Sequence, residues 1–290
     1  MEIRSKKGIL KLIFKVIVTC LAIYVVIRKI DFAETKRILF SAQLFWLFLA
    51  LILFNISKMI SSVRLNGFFR KIGLNLSFRF NLILYYVGMF YNLFLPGGIG
   101  GDGYKVYLLN KHSRVPVKSL IGSILIDRIN GMIALSFLAL LLLLFIDLSF
   151  IEFSLTYYLI GLLILIYPGF YFFVKLFFKI FLDYFNWSNM LSLGVQICQL
   201  ISAFFILLSL DIHNLYLEYL VLFLLSSIVA VLPFTIGGIG ARELVFVFGA
   251  NYLLIDKNTA VAFSLLFFVI TAISSFSGTF LEMKLNPKNL

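Results

Sequence analysis

The sequence predicts an all-α polytopic membrane protein of about 8 hydrophobic helices, including two glycine-broken re-entrant hairpins in an inverted repeat. Three observations predict it. Apolar residues make up 62% of the 290 positions and charged residues 13%, against roughly half and a quarter in a soluble domain. The apolar residues form long continuous runs, such as 132–145, which holds no charge. A Leu-Pro step followed by Gly-Gly-Ile-Gly occurs twice. A hydrocarbon core of about 30 Å demands about 20 apolar residues per helix. Lipid admits only helices or closed barrels, and continuous runs select helices.

Taken in order, the expected spans are 9–27, 43–62, 80–95, 120–145, 157–178, 188–209, 216–232 and 259–281. The first follows Arg4, Lys6 and Lys7 and lacks a small-x-small cleavage site, so it reads as a retained helix. Asp31 with Glu34 three residues on has the form of a capping box, and Phe32, Ile38 and Leu39 suit an interfacial helix. Residues 63–79, with Arg64, Arg70, Lys71 and Arg79, read as a basic loop, as do residues 102–119. Residues 146–156 and 210–219 carry acids and no Lys or Arg. No linker or composition shift divides the chain. It reads as a single transmembrane domain, 1–290, with pseudo-repeats of about 1–145 and 146–290. Cys20 and Cys198 both fall in apolar spans, so no disulfide framework is implied.

The formal charge of +12 has no basic helix or aromatic platform to present it to nucleic acid. Its bases lie in short loops, where they set orientation and meet anionic lipid. Strictly alternating crossings would place the basic loop 102–119 outside and the acidic loop 146–156 inside. The conflict disappears if the third and seventh spans each break at their glycines and return to the side they came from. Both termini are then cytoplasmic in the cell membrane. One violation remains: residues 28–41, with four bases and two acids, face outward.

The breaks are Leu95-Pro96-Gly97-Gly98-Ile99-Gly100-Gly101-Asp102-Gly103-Tyr104-Lys105 and Leu232-Pro233-Phe234-Thr235-Ile236-Gly237-Gly238-Ile239-Gly240-Ala241-Arg242-Glu243. Proline removes a donor and clashes with the preceding turn, and glycine permits positive φ. Such backbone survives in a membrane only when buried in protein or lining a wet cavity. Two breaks entered from opposite faces mark an inverted repeat with its site near the midplane. Close helix packing on glycine is the competing explanation.

These residues resemble those of a known family. Asn92-x-x-Leu95-Pro96-Gly97-Gly98-x-Gly100-Gly101-Asp102, then Asp127-Arg128-x-x-Gly131, then Leu232-Pro233 with Gly237-Gly238-Ile239-Gly240-x-Arg242-Glu243 are similar to the transmembrane region of lysylphosphatidylglycerol synthases, a flippase-like membrane family. Lys105 stands where the family carries arginine, which keeps the charge and loses the bidentate fork. The family's synthases carry a soluble aminoacyl-transferase domain after this region. Here the last expected span ends at 281 and the sequence at Leu290, so synthesis of lysylphosphatidylglycerol is not expected. The resemblance implies instead the movement of a lipid or lipid-linked headgroup between leaflets.

Intramembrane ionisable residues are site candidates by default. Lys105 and Arg242 are expected to hold a phosphate with the backbones of Gly97, Gly98, Gly100, Gly101, Gly237, Gly238 and Gly240. Asp102 and Glu243 either hold these bases at rest or take protons; mutual pairing that merely locks the hairpins is the competing role. Asp127 is expected to bind a base of the first hairpin and Arg128 to line the groove floor, or else to snorkel. Asn92 is expected to satisfy carbonyls freed at Pro96, with Pro233 its structural counterpart at the second break. Lys58, Gln196, Gln199 and Ser202 are weaker candidates, since interhelical hydrogen bonding explains the polar ones. His112 and His213 form no metal set, and no cofactor motif or catalytic triad is visible. The expected partners are membrane lipids with an anionic or lipid-linked headgroup, and an envelope-biosynthesis enzyme. The chain is expected to act as a translocator rather than an enzyme. The alternative is a non-catalytic partner or regulator of an envelope glycosyltransferase or lipid synthase.

Overall fold

Apolar runs too long for a soluble core become helices, and the computed structural model is mostly helical, with no strand, over its described residues, which are 17, 20–94, 100–146, 154–231 and 240–282. The elements are α1 (20–29), α2 (Phe32–Ser41), α3 (Leu44–Lys71), α4 (Phe78–Phe94), α5 (Gly100–His112) and α6 (Val117–Leu143). They continue with α7 (Ser154–Phe177), a 3-10 turn η1 (Lys179–Tyr184), α8 (Phe185–Ser209), α9 (Tyr216–Val231), α10 (Ala241–Tyr252) and α11 (Lys257–Glu282). Five stretches are long and apolar enough to cross a membrane: α3, α6, 156–177 of α7, η1 with α8, and 257–281 of α11.

Three expectations are corrected. The second span does not end at 62. α3 runs on to Lys71, because Arg64 finds a buried partner and stays in the helix. The supposed loop 102–119 is largely the helix α5. Residues 241–252, absent from the expected spans, form α10. The interfacial helix is present as α2, with Asp31 Oδ1 accepting from Ala33 N and Glu34 N at 2.9 and 3.1 Å. The other half of the capping box is filled differently. Asp31 N donates to Asn258 Oδ1 at 2.8 Å, and Glu34 turns to Arg37.

The longest helices lie antiparallel. Gln43 N meets Ser209 O, Ser202 Oγ meets Ala50 O, and Arg64 Nη1 meets Ser192 Oγ, all within 2.8 Å. Buried serines at 57, 61, 62, 188, 192 and 202 let α3 approach its neighbours closely. The chain therefore returns to one end of the bundle at 72–77 and 113–116, and to the other at 144–146, 210–215 and 253–256.

Between these long helices stand two antiparallel pairs. α4 and α5 have 17 and 13 residues, α9 and α10 have 16 and 12. At 1.5 Å per residue these arms are roughly 18–25 Å long, short of a 30 Å core. The first pair is tied at Gly101, whose Cβ would overlap the Gly88 carbonyl, and Tyr91 stacks on Tyr104 at 4.5 Å. The order long, short, short, long thus occurs twice, in α3–α6 and in α8–α11. Packing follows the same exchange: α4 lies on α11 as α9 lies on α6. Because α8 is antiparallel to α3, the two short pairs start from opposite ends. Their tips, with Pro96, Gly97, Gly98, Pro233, Gly237 and Gly238, lie outside the described residues.

Candidate functional site

Where Asn92 and Asp102 of the first short pair and Val231 and Arg242 of the second face the middle of α3, α6, α8 and α11, a cavity of about 340 Å³ opens. Five cations line it: Lys58, Arg64, Lys105, Arg128 and Arg242. Two carboxylates, Asp102 and Asp127, share the wall, with Asn92, Gln196, Gln199, Thr271 and Ser275 as further polar groups. Arg128, with its side chain 28% exposed, marks the rim.

In the first pair one carboxylate is shared by two cations. Asp102 sits in the first turn of α5, where the helix dipole favours an anion. One of its oxygens takes Lys105 Nζ at 3.2 Å, one turn on, and the other takes Arg128 Nε from α6. Lys105 also stands over the Tyr85 ring at 4.7 Å. Asn92 lies close by, in a role opposite to the expected one. Its Oδ1 accepts from Gly101 N at 2.8 Å, so it satisfies a donor at the start of α5 rather than a freed carbonyl. Gly100 opens the same helix.

Asp127 does not bind the first hairpin. It accepts from Arg64 Nε of α3 at 2.7 Å, and both side chains are buried. Arg64 then donates to Ser192, which bonds Asn130, which donates to Ser188 at 2.9 Å. This chain of polar contacts ties α3, α6 and α8 together behind the cavity. Arg64 was missed because its charge reads as a span end. The usable signal was the face shared by Ser57, Ser61 and Arg64 at helical spacing.

The second pair is arranged differently. Gly240 takes φ +83°, which a Cβ would strain, and its N–H donates to Glu243 Oε2 at 2.7 Å. Ser264 donates to the other Glu243 oxygen at 3.0 Å. Glu243 therefore caps its own helix and does not hold Arg242. The Arg242 guanidinium lies over the Phe267 ring at 5.1 Å, and its Nε has no hydrogen-bond partner among the described residues. Lys58 Nζ stands over the Phe54 ring at 4.3 Å, with no carboxylate in ion-pair range among the described residues. Phe54 and Phe267 meet edge to face at 5.6 Å. Cation–π contact offsets part of the desolvation, about 0.5–2 kcal/mol each, and leaves both cations with open donors.

Of the weaker candidates, Lys58, Gln196 and Gln199 line the cavity, while Ser202 is used up between helices on Ala50. Gln196 Nε2 reaches the Gly131 carbonyl at 3.4 Å, and its Oε1 has no partner among the described residues. His112 and His213 are exposed and bond locally, to the Leu108 carbonyl and to Asp211.

Residues 12–278 match the family described as lysylphosphatidylglycerol synthase TM region, a stretch that takes in every charged wall residue. The chain belongs to that family. A comparison with curated proteins finds no match. As a member of the lysylphosphatidylglycerol synthase TM region family, this multi-pass chain is a membrane domain of lipid and envelope biosynthesis or translocation.

Proposed function

We propose that this domain translocates a phospholipid or polyprenyl-linked lipid between leaflets, holding the headgroup in the cavity while the tails stay in the bilayer. The observation that carries the reading is a surplus of cations half-way along the spanning helices. A charge at the centre of a membrane helix costs at least about 2.5–3.5 kcal/mol. The Asp102 and Asp127 pairs offset that cost for three cations. Lys58 and Arg242 have aromatic faces and, among the described residues, no carboxylate in ion-pair range, which is the environment an anionic headgroup would complete.

In this reading the two short pairs are re-entrant and the halves form an inverted repeat. The bundle end with Arg70, Lys71, Arg79, Lys111, Arg114 and Lys118 faces the cytoplasm. The end with Asp211, Glu218 and Asp256 faces outward. Labelling of single cysteines at Asn75 and Ser113, before and after the first short pair, should place them on the same side; opposite sides would sink the re-entrant arrangement.

The functional test is reconstitution in liposomes with fluorescent phospholipids and a polyprenyl phosphate. Wild-type protein should speed leaflet exchange of at least one substrate, and the double variant Lys58→Gln/Arg242→Gln should not. No acceleration of any substrate overturns the transport reading. The paired charges of Asp102 and Asp127 also suit a locked scaffold, and so favour as second reading a partner or regulator of an envelope glycosyltransferase or lipid synthase. Cells that keep full activity with that double variant, at normal abundance, would support it.

A further inference from the structure

The charge of the cavity wall carries more than the presence of a lipid site. Five cationic side chains face two carboxylates. The segments 95–99 and 232–239 contain no ionisable residue, so the tips cannot alter that balance. Glu243 stands directly behind Arg242, and its negative charge acts on it. Both its oxygens are committed to Gly240 and Ser264, so it reaches no ligand. The wall therefore carries three positive charges in excess, or two when Glu243 is counted with it.

A phosphodiester headgroup brings one negative charge and would leave a cation uncompensated. A zwitterionic headgroup brings none net, and an aminoacylated one adds to the excess. A terminal phosphomonoester brings about −1.5 to −2 at neutral pH with three acceptor oxygens. The cavity volume lies at the lower end of small-molecule sites, about 300–1,000 Å³, which suits a compact group. We propose that the site selects lipids whose headgroup is a terminal phosphomonoester or diphosphate, held between Lys58 and Arg242, over phosphodiester, zwitterionic and aminoacylated lipids. This rests on the headgroup reading of the cavity and is tested by binding, independently of transport.

The experiment uses the full chain in phosphatidylcholine nanodiscs, with phosphatidic acid, phosphatidylglycerol, phosphatidylethanolamine and inorganic phosphate as separate probes, read by native mass spectrometry. Phosphatidic acid should bind at least about tenfold more tightly than phosphatidylglycerol, the effect of one charge-assisted contact. Phosphatidylethanolamine should not compete. Lys58→Gln and Arg242→Gln should each erase the preference, whereas Lys58→Arg and Arg242→Lys should keep most of it. Thermal unfolding of each variant checks that it is folded. Equal binding of phosphatidylglycerol or phosphatidylethanolamine, or no binding at all, overturns the selectivity. Inorganic phosphate competing as well as phosphatidic acid assigns the site to a free anion and overturns the lipid. Selective binding without leaflet exchange sinks only the transport reading.

Discussion

The two short helical pairs share a glycine motif and end in opposite electrical states. Two residues after the last glycine of Gly-Gly-Ile-Gly stands Asp102 in the first and Arg242 in the second. Asp102 gathers Lys105 and Arg128 and closes its side of the cavity. Among the described residues Arg242 has a ring face and no ion pair, because the neighbouring Glu243 has turned to Gly240 and Ser264. One pair thus spends its carboxylate on its cations, and the other spends it on its own helix start. The difference lies in where the adjacent carboxylate goes.

That contrast can be broken or sharpened by substitution, read as thermal unfolding in detergent. Asp102→Asn should cost most, about 3–5 kcal/mol, because it strands two buried or half-buried cations at once. Gly101→Ala comes next, at about 3 kcal/mol, since its new methyl meets the backbone of Gly88, which cannot move aside. Gly249→Ala, at a contact of α10 with α9 nearer the far end of the second pair, meets only the end of Leu222 and should cost about 1 kcal/mol. Glu243→Gln keeps an acceptor for Gly240 and should cost about 1 kcal/mol, the scale of a lost cap. Arg242→Gln should cost no stability while abolishing anion binding. A large loss of stability there would show that Arg242 is structural and would erase the contrast.

The spans were legible because length and apolar continuity are local properties of the sequence. So was the Asp102–Lys105 pair, whose spacing of three puts both on one helix face. The breaks were legible in outline, since Pro and Gly act on their own backbone. What local reading could not supply was the partner. Arg64 reads as the end of a span until Asp127, 63 positions away, appears beside it. Glu243 reads as the mate of Arg242 until a left-handed Gly240 and a serine on α11 draw it off. Lys58 reads as a stray polar residue until α10 brings a second cation to the same cavity. In each case the local chemistry was visible, and the contact that decides the role comes from an element distant in sequence.

The edge-to-face contact of Phe54 with Phe267 has a kinetic consequence. An aromatic face that gives up its cation leaves no orphaned donor or acceptor behind. On the proposed headgroup reading, cargo would displace the resting contact, and the contact would re-form on release, without an intermediate in which a polar group stands bare in oil. Loading and emptying would then both be quick. Replacing both rings with leucine should slow its exchange more than it changes its equilibrium.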